Sequence, residues 1–155
     1  MRYGIISVAI LLLLSASFAS AISYDLPGMQ VYADAYNSKI DKAPEALKGL
    51  LGNEGINLEV IRNDGSVLRV GFEVEKARIN GTVDGGLNDP TIVVTTTESA
   101  IESIRVSDDP IAAFQKQMDL GQVNIRGTNP LTSAKLVAVI SSTSVLQFFY
   151  SILFG

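Results

Sequence analysis

The sequence predicts an α+β domain. A five-stranded, mainly antiparallel sheet is covered on one face by helices, and the chain ends in a long apolar C-terminal helix. Three observations predict it. Between residues 56 and 83, apolar and polar residues alternate through three consecutive segments, broken at Asn63-Asp64-Gly65 and at Glu75-Lys76; this is the period of half-buried strands joined by tight turns. On both sides of that block the apolar spacing switches to the threes and fours of a helix. The last twenty residues, 136–155, carry no charge.

The N-terminus reads as a targeting segment. Arg2 gives a small positive region, residues 5–14 an apolar run with four consecutive leucines, and residues 15–21 a small-residue stretch ending Ala19-Ser20-Ala21. The expectation is a signal peptide over 1–21 and a single domain over 22–155, working outside the cytoplasm, secreted or at the cell surface. Cleavage would remove Arg2 and no acid, taking the formal charge from −4 to −5. An uncleaved anchor is the alternative, because no charge lies between Arg2 and Asp25.

Residues 23–30 read as a lead-in with Pro27-Gly28 as a turn. Residues 31–40 place Val31, Tyr32, Ala35, Tyr36 and Ile40 at helical spacing. Residues 43–51 add a short helix, with Pro44 in its first turn and Gly52 as its stop. Then Ile56, Leu58 and Val60 alternate with Asn57, Glu59 and Ile61; Leu68, Val70, Phe72 and Val74 follow the Asn-Asp-Gly turn; Ala77, Ile79, Gly81 and Val83 share a face of the third strand. Residues 84–90 form a loop, and residues 91–96 a β-branched fourth strand. Residues 97–105 make a helix, and Ser107 or Asp108 caps another over 110–120. Residues 122–126 are the fifth strand. Asn129-Pro130 opens the last helix, with Asn as cap and Pro in the first turn.

Composition excludes several functions. The 155 residues contain no His, Cys or Trp, which removes Ser-His and Cys-His nucleophile pairs, imidazole or thiolate zinc sites, and disulfides. The net charge of −4 opposes nucleic-acid binding, which needs a basic surface. Asp108-Asp109 precedes Pro110 as a helix start, where acids complement the dipole; neither it nor Glu73/Glu75 has the ligand spacing of a calcium loop. No catalytic residue, metal site or cofactor is expected. Asn80-Gly81-Thr82 is a glycosylation sequon, meaningful only in a cell that glycosylates its exports.

Two readings of the apolar residues stay open. Leu68, Val70, Phe72, Val74, Ile92, Val94, Val123 and Ile125 form either a filled core or the wall of a pocket. Residues 136–155 form a helix packed on the domain, a lid over a pocket, or a segment that enters a membrane; the Ser141–Ser144 hydroxyl cluster interrupts the run, and no Lys or Arg follows it.

Several short motifs resemble the sterol carrier protein type-two domains. These are Asp89-Pro90-Thr91-Ile92-Val93-Val94, the helix start Asp109-Pro110, the bracketed strand Gly121-Gln122-Val123-Asn124-Ile125-Arg126-Gly127, and Ala134-Lys135-Leu136 in a closing helix. The resemblance spans residues 56–140. It implies a lipid, sterol or fatty acyl chain held in an apolar tunnel between sheet and helices. The residues expected to contact it are Leu68, Val70, Phe72, Ile92, Val94, Phe114, Met118, Val137, Ile140 and Phe148. The chain departs from the family's cytosolic or peroxisomal setting in its signal-like start, and in its very apolar end. The functional expectation is an exported, non-catalytic lipid-binding protein, with a membrane surface as a further partner. The alternative is a structural or interaction domain docked at the membrane through residues 136–155 with no bound ligand.

Overall fold

The computed structural model describes residues 22–154; the expected signal peptide over 1–21 lies outside them. The element order is α1 (Leu26–Lys39), a 3-10 turn (Ile40–Lys42), α2 (Glu45–Leu50), β1 (Asn53–Ile61), β2 (Val67–Glu75), β3 (Arg78–Asp84), β4 (Ile92–Thr97), α3 (Glu98–Arg105), α4 (Pro110–Asp119), β5 (Val123–Gly127), α5 (Pro130–Ile140) and α6 (Thr143–Leu153). This is the α+β class the sequence predicts.

The five strands run in the order β3-β2-β1-β4-β5. Three neighbouring pairs are antiparallel, and β1 with β4 is parallel. Alternation sorts the side chains into rows. Val70, Leu58, Val94 and Ile125 lie abreast, flanked by the row Leu68, Val60, Thr96, Val123 and the row Phe72, Ile56, Ile92. These rows face the helices. On the other face Arg69 Nε donates to Glu59 Oε1 at 2.9 Å, and Asn57 fastens the loop after β3 by accepting from Leu87 N at 2.7 Å and donating to Leu87 O at 2.9 Å.

The first helix starts earlier than its apolar spacing predicts. Asp25 is the N-cap, accepting from Gly28 N at 2.7 Å, and Pro27 sits in the first turn. Pro27-Gly28 is therefore a helix start rather than a turn, because a proline in the first turn has no amide to lose. Met29, Ala33, Tyr36 and Ile40 then form the buried stripe, while Val31 is 64% exposed.

The β1–β2 hairpin turns where the sequence places it. Gly65 N donates to Arg62 O at 3.0 Å, Arg62 N donates to Ser66 O at 2.8 Å, and Gly65 has φ +85°. Ser66 donates to Asp64 Oδ1 through its amide and its hydroxyl, and these bonds hold the Asp64 carboxyl below its usual range. Nothing crowds a side chain at Gly65, so its backbone angle alone sets the effect of substitution. Gly65→Val is expected to destabilise the domain by about 1–2 kcal/mol, read as a lower denaturant midpoint at unchanged slope.

The next turn differs from expectation by one residue. Lys76 and Ala77, with φ 51° and 62°, form a two-residue turn, and Glu75 pairs with Arg78. A bulge follows: Glu73 pairs with Gly81 but Val74 pairs with Ile79, leaving Asn80 unpaired. Ile79, Gly81 and Val83 therefore do not share one face. Beyond the bulge Thr82 takes the helix side, and its hydroxyl donates to Gln30 Oε1 at 2.8 Å.

Asp109 caps α4, accepting from Ala112 N at 3.0 Å, in place of Ser107 or Asp108. Asn129 caps α5, accepting from Thr132 N at 2.9 Å. At Gly127, which ends β5, a Cβ would lie 2.5 Å from Ser133 N; only glycine lets α5 approach this strand so closely.

The single closing helix is in fact two. α5 ends at Ile140 and α6 begins at Thr143, bent by 82°. The break falls in the hydroxyl cluster. Ser141 Oγ donates to Val137 O at 2.8 Å, and Ser142 Oγ lies 3.0 Å from Ser144 Oγ; serine hydroxyls compete for the bonds that would continue the helix. Among the described residues no single helix is long and apolar enough to cross a membrane. α6 folds back onto α1. Lys39 Nζ donates to Ser151 O at 2.7 Å, and the Tyr36 ring stacks on Phe149 at 6.3 Å and meets Phe148 edge-on at 6.1 Å.

Candidate functional site

The rows of the sheet and the helices over them do not close completely. Between them lies an apolar cavity of about 390 Å³, within the range of small-molecule sites. Its floor is the middle of the sheet: Ile56, Leu58, Val60, Phe72, Ile92, Val94, Thr96, Val123 and Ile125. Its roof comes from every helix. α1 supplies Met29, Tyr32, Ala33 and Tyr36; α2 supplies Leu47 and Leu50; α3 supplies Ile101 and Ile104; α4 supplies Ile111 and Phe114; α5 and α6 supply Leu136, Ile140, Val145, Phe149 and Ile152.

Five residues expected at the ligand take part in this wall: Phe72, Ile92, Val94, Phe114 and Ile140. The other five do not. Leu68 and Val70 are buried at 6% and 0% exposure, packed with Met29 and Val60 at one end of the sheet. Phe148 fills the aromatic contact with Tyr36 instead of facing the cavity. Met118 is half-buried outside the wall. Val137 is 64% exposed, on the side of α5 away from the buried Leu136 and Val139.

Sequence reasoning missed the contributions of α1, α2 and α3, and of Val145, Phe149 and Ile152 from α6. Ile101 and Ile104 are three apart, and Met29, Ala33 and Tyr36 recur at four and three, so the helical period marked both faces as inward. What it lacked was the start of α1 at Leu26, which brings Met29 into the helix.

The few polar groups at the cavity are hydroxyls. Tyr36 Oη donates to Ala77 O at 2.7 Å, and burial pushes its pKa up to about 12. Burial also raises Tyr32. Tyr24 is pushed up to about 12, first by burial and then by the Glu102 and Glu98 carboxylates. Both Tyr24 and Tyr36 are therefore neutral phenols at physiological pH. Among the described residues no group of three acids gathers to hold a metal ion. The wall is almost wholly apolar and carries no charged side chain.

No family model and no curated protein matches the sequence, but solved structures match the fold. A conserved hypothetical protein from Thermus thermophilus, described as possibly a sterol carrier protein, superposes with a TM-score of 0.50 at 11% identity, covering 80% of this chain and 87% of that one. The sterol carrier protein domain 2 of Helicoverpa armigera gives 0.49 at 16% identity over 71% and 83%. Sterol carrier protein 2 from Yarrowia lipolytica, in its apo form, gives 0.45 at 13% identity over 81% and 89%. At 11% identity the match at 0.50 is one of fold alone: the sheet and helices are arranged similarly to those of the Thermus protein, over most of both chains.

Proposed function

We propose that this chain is a non-catalytic binding protein that holds a lipid or another hydrophobic small molecule between its sheet and its helices. The cavity carries this reading. A domain of this size has no need of an apolar space of about 390 Å³ in its centre, since interiors otherwise pack like crystals. The fold agrees, and the lack of His and Cys leaves little for chemistry.

Val94→Phe tests the proposal. Val94 stands in the cavity floor beside Leu58 and Ile125. In a filled core the added ring would cost about 1–3 kcal/mol. In a ligand cavity it is expected to leave thermal stability unchanged or raise it, and to displace lipid seen by native mass spectrometry of the wild-type protein. A strongly destabilised variant, or a wild-type protein free of ligand that ignores fatty-acid probes, would sink the reading.

We place the protein outside the cytoplasm, on the apolar run at residues 5–14 and the small residues ending at Ala21. N-terminal sequencing of the exported chain is expected to begin at Ile22. A second reading, docking at a membrane surface, draws on Leu131 and Val137, exposed at 67% and 64% along α5. Retention on membranes through a carbonate wash would favour it.

A further inference from the structure

Tyr24 brings to the cavity wall a polar atom that the binding of a plain hydrocarbon leaves unused. Its phenol oxygen is buried and finds no hydrogen-bond partner among the described residues, while its ring lines the cavity. Such an atom is uncommon in a folded chain, since a buried hydroxyl without a partner loses its hydration for nothing in return. The residue is also held in place. Arg62 donates to Tyr24 O through Nε at 3.0 Å and Nη2 at 2.5 Å, and the next residue, Asp25, is fixed as the cap of α1. The ring packs at the end of the sheet beside Met29, Val60 and Leu68. A second hydroxyl lies at that end. Thr96 pairs with Val60, is 5% exposed, lines the same cavity, and its hydroxyl reaches only Thr97 O at a long 3.5 Å. The rest of the wall is hydrocarbon, apart from the satisfied Tyr36 and the tyrosines Tyr32 and Tyr150.

We propose that the cavity is built for an amphiphile whose uncharged oxygen accepts a hydrogen bond from Tyr24 Oη at the Thr96 end, the chain of the molecule running along the sheet away from it. The proposal rests on the binding function above and narrows its ligand class to molecules with an alcohol, ester or amide end. An anionic head is disfavoured there. Burial first, and then the carboxylates of Glu102 and Glu98 on α3, push the Tyr24 pKa up, with Arg105 opposing them, and Arg105 is engaged by Glu102 at 2.7 Å. As a neutral phenol, Tyr24 is a donor with no charge to balance a carboxylate.

Tyr24→Phe separates the alternatives, because it removes one oxygen and keeps the ring. Dodecanol, dodecanoate and dodecane serve as probes, with affinities measured by displacement of a fluorescent lipid. The wild-type protein is expected to bind dodecanol more tightly than dodecane or dodecanoate. Tyr24→Phe is expected to weaken dodecanol by roughly fivefold, the worth of one neutral hydrogen bond, to leave dodecane unchanged, and to raise the melting temperature of the ligand-free protein by deleting an unpaired buried hydroxyl. Equal losses for dodecanol and dodecane, or no loss for either, would overturn the role of Tyr24 while leaving the cavity as a lipid site. Preference for dodecanoate would overturn the uncharged head. Failure of all three probes to bind would overturn both this inference and the binding function beneath it.

Discussion

Val123→Asp is expected to abolish folding, while Asn124→Asp, one position along the same strand, is expected to leave it intact. The difference comes from the pleat. Val123 is 6% exposed and stands in the row with Thr96, Val60 and Leu68 under the helices. Asn124 pairs with Thr95 on the opposite face and is exposed. A carboxylate at 123 would be buried in a largely apolar layer beside only the Thr96 hydroxyl, a penalty of several kcal/mol against a total stability of about 5–15 kcal/mol. At 124 the same carboxylate meets water. Circular dichroism of the two purified variants checks the result. The reverse outcome would mean that β5 is out of register by one residue, which would turn all its side chains to the other face.

How far the sequence could be read depended on whether the signal was local. The alternation of Leu68, Val70, Phe72 and Val74 located a strand and its inward face, and the turn at Asn63-Asp64-Gly65 fixed the hairpin, since glycine alone enters that backbone region easily. Asn129-Pro130 located the start of α5 for the same kind of reason. The departures all involve partners distant in sequence or a choice between two local signals. Pro27-Gly28 satisfies both a turn and a helix start, and the cap at Asp25 decides between them. The bulge at Asn80 depends on how β3 lies against β2, which alternation within β3 does not encode. The parallel pairing of β1 with β4 places a loop across the outer face and is invisible to any window of residues. The cavity is the hardest case. Phe72 and Val94 look alike in the sequence whether they touch another side chain or an open space, and only the distance between sheet and helices separates the two. Val137 shows the converse: its apolar character marked it as inward, but α5 buries Leu136 and Val139 and leaves Val137 in solvent.

Removing residues 142–155 is the change that most directly separates the two functional readings. α6 buries Val145 and Ile152 at 1% and 9% exposure, and packs Phe148 and Phe149 against the core around Tyr36. Side chains of this size contribute about 1.5–3 kcal/mol each on full burial, so Val145 and Ile152 are worth on the order of 3–6 kcal/mol before the half-buried Phe148 and Phe149 are added, a large share of the stability of a small domain. Helix α6 also supplies Val145, Leu146, Phe149 and Ile152 to the cavity wall. If α6 closes a ligand site, the shortened chain is expected to bind the dye ANS strongly, to lose any lipid that accompanies the intact protein, and to melt without a cooperative transition. If the segment instead serves as a membrane anchor, the shortened chain is expected to leave the membrane fraction and to keep its stability and its ligand content. The contacts of Lys39 with Ser151 and of Tyr36 with Phe149 favour the first outcome, because an anchor would have to break both, and to expose the roof of the cavity, each time it entered a bilayer.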